Sequence, residues 1–182
     1  VEAFDLDRCK SSAARFDLKK LTWMNGEYLR RLPRETLDAA FRERLAAGGL
    51  DPASVTDEVW NAILDLMIPR TKIFGEVPGN CAYFFTDAFA FDPRAVEKRL
   101  QPEGTRERLL KVAETFESLP AFTLESTEAA LRALGESMAT GIGSLVHPVR
   151  VAVSGMTEGP GLFEMLVLLG RERVCARLRQ AV

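Results

Sequence analysis

The sequence predicts a mostly α-helical fold, on three observations. Apolar residues recur at three- and four-residue spacing through most of its 182 residues. Helix-starting residues stand just ahead of these stripes, at Pro33, Asp92 and Thr105. Glycines or prolines follow where the stripes end, as at Gly48-Gly49 and Leu119-Pro120.

Taken in order, the first stripe is Leu37, Ala40, Phe41 and Leu45, behind Pro33 and closed by Gly48-Gly49. Asp57 to Met67 carries Val59, Trp60, Ile63, Leu64 and Met67 on one side, and Pro69 interrupts it. Pro78-Gly79-Asn80 is a loop signal. Pro93 to Leu100 reads as a short helix with Asp92 as its N-cap. Thr105 is expected to cap a longer helix with Leu109, Val112, Ala113 and Phe116 on one face. Ala130, Leu131, Leu134 and Met138 form another stripe, broken by Gly141 and Gly143. The last helix shows Val174, Cys175, Leu178 and Val182 inside and its arginines outside.

Two segments resist this reading. Val149, Val151 and Val153 alternate with Arg150, Ala152 and Ser154, which on pattern alone is a β-strand. Leu162 to Leu169 is nearly all apolar and fits a buried helix or a buried strand equally. No internal repeat or low-complexity tract is present. A domain junction is expected near Phe91-Asp92-Pro93, after the aromatic cluster Tyr83, Phe84, Phe85, Phe89 and Phe91, which is read as core.

Composition narrows the function classes. With 47% hydrophobic and 27% charged residues the chain reads as an ordinary globular protein. No apolar run approaches the roughly 20 residues of a membrane span, and no signal-peptide pattern opens the chain. It begins with Val1, so it is expected to be a piece of something longer. Cys9, Cys81 and Cys175 lie far apart, which points to reduced thiols in the cytoplasm. With His147 alone to add, they offer no zinc-ligand spacing, and no metal site is expected.

The net charge is −2, from 24 basic and 26 acidic side chains, so any RNA site must come from local patches. Two basic stretches exist: Arg8, Lys10, Arg15, Lys19, Lys20, Arg30, Arg31 and Arg34, and Arg171, Arg173, Arg177 and Arg179. On charge alone both read as solvated helix faces.

Catalytic constellations are scarce. His147 sits directly before Pro148 in an apolar stretch and reads as structural. No glycine-rich phosphate loop follows a strand, and Lys10-Ser11-Ser12 is too short to mean anything alone. Binding chemistry is better represented. Gly159-Pro160-Gly161 places a proline where a helix can begin, and the free N–H groups of such an end suit a phosphate or a base edge. Arg150 is expected to point at the same space, or to pair with Glu158 or Glu164. Pro69-Arg70 puts an arginine on an exposed, fixed bend.

These pieces resemble one family. The run from Phe16 to Arg30, with Phe16-Asp17, Lys20-Leu21, Trp23, Asn25-Gly26, Tyr28 and Arg30, is similar to a segment of bacterial-type glutamyl-tRNA synthetases. The stretch from His147 through Gly159-Pro160-Gly161-Leu162-Phe163-Glu164 to Leu168-Leu169-Gly170-Arg171-Glu172-Arg173 resembles the same family's closing pattern. The resemblance implies an all-α C-terminal fragment: residues 1–32 the end of a stem-contact region, 33–92 and 93–182 two helical anticodon-binding subdomains. It also turns both unresolved segments into helices.

The implied function is recognition of the anticodon of tRNA-Glu, with no DNA or membrane partner, by a cytoplasmic protein taken as monomeric. Glutamate attachment, with ATP and magnesium, would belong to a catalytic domain bearing HIGH and KMSKS motifs that are absent here. The fragment itself is expected to hold no catalytic or cofactor-binding residue. The resemblance also implies site residues. Arg70, in Met67-Ile68-Pro69-Arg70, matches the arginine that reads the third anticodon base. Cytosine offers O2 and N3 as acceptors to a guanidinium fork, whereas guanine presents donors and opposes it. Arg150, Gly159, Pro160 and Leu162 match positions contacting the first two bases, although Gly159 replaces a hydroxyl residue of the family. Alternatives are a non-discriminating or tRNA-Gln-directed relative, and a helical protein-interaction module with no RNA role. A hydrolase using His147 carries little weight.

Overall fold

A computed structural model of the chain describes residues 16–181, and every regular element among them is helical. The α-helices are α1 (Leu18–Leu29), α2 (Arg34–Ala47), α3 (Asp57–Met67), α4 (Val77–Phe85), α5 (Pro93–Arg99), α6 (Thr105–Glu117), α7 (Leu124–Ser137), α8 (Gly143–Ser154), α9 (Leu162–Leu169) and α10 (Arg171–Gln180). Single 3-10 turns at Pro52–Ser54 and Phe74–Glu76 punctuate the first half.

Local chemistry explains most of the boundaries. Asp17 caps α1 by accepting from the Lys20 N–H at 3.1 Å. Gly48 ends α2, and Gly49 takes φ +76°, where a side chain is strained. Thr56 caps α3, whose first-turn Asp57 and Glu58 complement the helix dipole. Asp92 caps α5 through the Arg94 N–H at 2.9 Å, and Thr123 and Ser126 form a reciprocal capping box on α7.

The structure departs from the sequence pattern at identifiable places. Val149 to Ser154 is helix, because α8 is buried almost all round: Val149, Val151, Ala152 and Val153 are all in the core. Full burial erases the helical period and leaves a spurious alternation. Leu162 to Leu169 is likewise helix. Pro78-Gly79-Asn80 is no loop but lies in α4, where Pro78 occupies the tolerant first turn. Thr105 does not cap α6; Gly104, at φ +74°, precedes it, and buried Thr105 accepts from Arg108 instead. Gly143 opens α8 rather than merely breaking α7. Val182, Cys9 and the basic residues Arg8, Lys10 and Arg15 lie outside the described residues.

One apolar cluster runs through both halves, from Phe41 and Trp60 on α2 and α3, through Tyr83, to Val174 and Leu178 on α10. Helix α10 packs chiefly on α6 and α8, and α3 reaches across to α9. The arginines of α10 are not all outside. Arg177 is 4% exposed and donates to the carbonyls of Val153 (2.7 Å), Tyr83 (2.8 Å) and Thr86 (3.0 Å) and to the Asp87 carboxylate. Its guanidinium also lies 4.6 Å from the centre of the Phe89 ring. Arg173 donates to the Phe84 carbonyl at 2.9 Å, and Arg179 pairs with Glu117. The second basic stretch is therefore largely spent on holding the fold together.

A second junction is made by backbone. The Asp92 N–H donates to the Gly155 carbonyl at 2.9 Å, and Gly155 takes φ +75° at the end of α8. A Cβ there would stand 2.3 Å from the Ala90 carbonyl oxygen, so only glycine fits.

Arg177→Lys is expected to lower stability by about 2–4 kcal/mol, because an ammonium cannot serve three carbonyls and a carboxylate at once. Urea unfolding followed by circular dichroism measures it. Cys81 and Cys175 are free and buried, and burial pushes the Cys81 thiol up to about 12 and raises that of Cys175 as well. Neither forms appreciable thiolate at pH 8, so both should resist a thiol reagent until the chain unfolds. Peptide mapping of the labelled native and unfolded protein checks this.

Candidate functional site

Two bends come together at one cleft. The first follows α3. Pro69 has no N–H to continue the helix, and the chain turns through Arg70, whose N–H donates to the Met67 carbonyl at 3.0 Å. Buried Thr71 locks the turn, since both its N–H and its hydroxyl donate to the same carbonyl at 2.9 Å.

Helix α1 braces this turn from outside. The Asn25 amide donates to the Lys72 carbonyl, and Arg30 reaches the Pro69 carbonyl at 3.5 Å. Gly26 lets the two segments touch, because a Cβ there would lie 3.2 Å from the Lys72 Cγ. Asn25, Gly26 and Arg30 thus have a shared physical task. Arg70 itself is exposed, and no carboxylate among the described residues pairs with it.

The second bend joins α8 to α9. Arg150 is half-buried on α8, and its Nη1 donates to the Pro160 carbonyl at 2.8 Å. It forms no ion pair with Glu158 or Glu164; the expectation of a shared space is met by a hydrogen bond to the loop instead. Burial holds its pKa below the ordinary arginine range. The Tyr83 and Glu164 side chains oppose that effect and the Arg70 guanidinium adds to it. A Cβ on Gly159 would lie 3.3 Å from the Arg150 Nη1, so the guanidinium packs directly beneath this residue. Pro160 and Leu162 are buried.

Gly161 precedes α9, and its Cα hydrogen side faces the Glu164 carboxylate: an added Cβ would meet Oε2 at 2.0 Å. An acid therefore already stands over the start of this helix, which makes it a poor seat for a phosphate and leaves the cleft wall as the more useful surface.

Between the bends lies an open cleft of ≈ 730 Å³. Arg70 and Gly159 line it from opposite halves; Arg150, Pro160 and Leu162 are not among its lining residues, although Arg150 holds the loop that bears Gly159 through the Pro160 carbonyl. Lys72, Glu76, Asn80 and Glu158 also line it. Nothing in the sequence pattern singled these four out as site residues, because their meeting depends on the packing of α3 and α4 against the α8–α9 loop. The cleft mixes two cations with carboxylates, so it suits a ligand carrying both acceptors and donors. His147 is exposed on α8 and lies outside this lining.

Residues 23–182 match the family model described as the anticodon binding domain. The chain belongs to that family. This anticodon-binding chain is 38% identical to a glutamate–tRNA ligase of Moorella thermoacetica, over all of its own length and 38% of the relative's. It is 37% identical to glutamate–tRNA ligase 2 of Koribacter versatilis, with the same two shares. The crystal structure of a glutamate tRNA ligase from Elizabethkingia meningosepticum, in complex with its amino acid, aligns at a TM-score of 0.75. That alignment has 28% identity and covers 98% of this chain and 34% of the other. The anticodon-binding chain thus spans a little over a third of the relatives it matches, and its all-α fold matches the aligned part of that structure.

Arg150→Met is expected to loosen the loop without unfolding the bundle. A charged donor to a carbonyl contributes about 1.5–3 kcal/mol, so amide exchange from Thr157 to Gly161 should rise about tenfold or more. Exchange in α3 should stay unchanged, and mass-resolved hydrogen exchange separates the two.

Proposed function

We propose that this chain reads the anticodon of tRNA-Glu as the recognition part of a glutamate–tRNA ligase. The observation that carries the reading is Arg70: held in a doubly locked turn, unpaired, and lining an open cleft opposite Gly159. A fixed guanidinium with free donors is suited to a base edge bearing two acceptors. Cytosine has that edge at the third position, and guanine opposes it. The loop that carries Gly159, Pro160 and Leu162, held by Arg150, is taken as the surface against which the first two bases lie. Family membership and the glutamate–tRNA ligase relatives support the same conclusion.

In this reading residues 1–32 end a stem-contact region, 33–92 form the unit that carries Arg70, and 93–182 the unit that carries the loop. The protein works as a monomer in the cytoplasm, and among the described residues no helix is long and apolar enough to cross a membrane. Attachment of glutamate, which consumes ATP with magnesium, falls to polypeptide outside this chain.

The test is a filter-binding titration with tRNA-Glu and with the same tRNA carrying guanine at its third anticodon position. The unaltered chain should prefer cytosine by roughly ten- to a hundredfold, the range that about 1–3 kcal/mol of bidentate discrimination provides. Arg70→Gln should bind both forms alike. Equal affinity of the unaltered chain for both would defeat the assignment of Arg70 and favour a non-discriminating relative.

A further inference from the structure

The cations of this protein fall into two populations. Arg30, Arg34, Arg42, Arg44, Lys111, Arg132, Arg173, Arg177 and Arg179 each pair with a carboxylate. Lys98 and Arg99, at the end of α5, do not pair with any carboxylate among the described residues. Helix α5, whose Ala95 is buried, packs against α8, and Lys98 and Arg99 stand in its last turn. The Arg99 Nε is buried with no acceptor, so its guanidinium is fixed by packing while its charge goes uncompensated.

Exposed His147 completes the group from α8, its ring 3.7 Å from the point where a Gly143 Cβ would stand. Burial lowers the pKa of His147, and Arg99, Arg150 and Lys98 each lower it further, with no carboxylate acting against them. Arg150 in turn feels Arg70 across the wall of the cleft. Cations therefore run from Arg70 in the cleft, past Arg150 on α8, where Glu164 partly offsets the charge, to Lys98 and Arg99 on α5, with His147 beside them as a neutral donor. A fold gains nothing from like charges set side by side, but a polyanion laid along them does.

We propose that Lys98, Arg99 and His147 form a second contact, a phosphate track for the RNA strand leaving the Arg70 cleft. This rests on the RNA reading above and adds a site that reads no base: its ligands are phosphodiester oxygens, which position the strand without specifying sequence. The track and the cleft divide the task, the one supplying affinity for any strand and the other discrimination.

The test is fluorescence anisotropy of the tRNA-Glu anticodon stem-loop with the full chain, across a salt series. The double change Lys98→Gln/Arg99→Gln should weaken binding about tenfold and flatten the slope of log affinity against log salt by roughly one to two, as expected for the loss of two phosphate contacts. Stem-loops with cytosine or guanine at the third position should weaken alike, leaving their ratio intact. Lys98→Glu alters only an exposed side chain and should weaken binding further than Lys98→Gln alone. An unchanged affinity, or a weaker one with an unchanged salt slope, overturns the track while Arg70→Gln still tests the cleft. Failure of the unaltered chain to bind the stem-loop at all would overturn both.

Discussion

The buried guanidinium of Arg177 is the constraint on which the rest of the fold depends. Three helices end near it: α4 through the carbonyls of Tyr83 and Thr86, α8 through that of Val153, and α10, which carries it. Carbonyls at helix C-termini have no partner within their own helix. Here they are satisfied by one planar, multiply donating group whose charge is offset by Asp87 and whose face rests on Phe89. Replacing that group strands several acceptors together, which is why its effect on stability should exceed that of a surface pair. The two bends that form the cleft hang from these same helices: the α8–α9 loop leaves from beside Val153, and α4 runs along the cleft's other side.

A second theme is how charge is allotted. Every arginine that closes a structural contact has its acceptor within the chain, as Arg173, Arg177 and Arg179 do. Arg70, Lys98 and Arg99 have no carboxylate partner among the described residues. Local abundance is thus a poor guide to a free surface: the basic run on α10 reads as a solvated helix face in the sequence, yet it is largely internal scaffolding. The Asn25-Gly26 pair carries the same lesson for a motif. Its residues touch no ligand candidate; they hold the turn from which Arg70 projects.

Much of the fold was legible in the chain. The helices from Pro33, Asp57 and Pro93 begin where the capping and proline signals place them, because those elements are half-exposed and keep a clean period. Helices α8 and α9 were not legible from pattern, since burial on nearly all sides removes the contrast that periodicity needs. Their helical state was reached through family resemblance alone. Arg70 and the Gly159 loop were identified as candidates from sequence. Their meeting across one cleft, with Lys72 and Glu158, is a product of tertiary packing that no local signal encodes.

The contact at Gly155 has a consequence for that cleft. Peptide meets peptide there, with the Asp92 N–H on one side and the Gly155 carbonyl on the other. Asp92 and Met156, the immediate neighbours, are both part of the cleft's lining. The gap between the two jaws is therefore gauged by main-chain dimensions. Side chains around it can drift through generations of substitution without resetting the calliper, whereas a single methyl group at position 155 would prise it open.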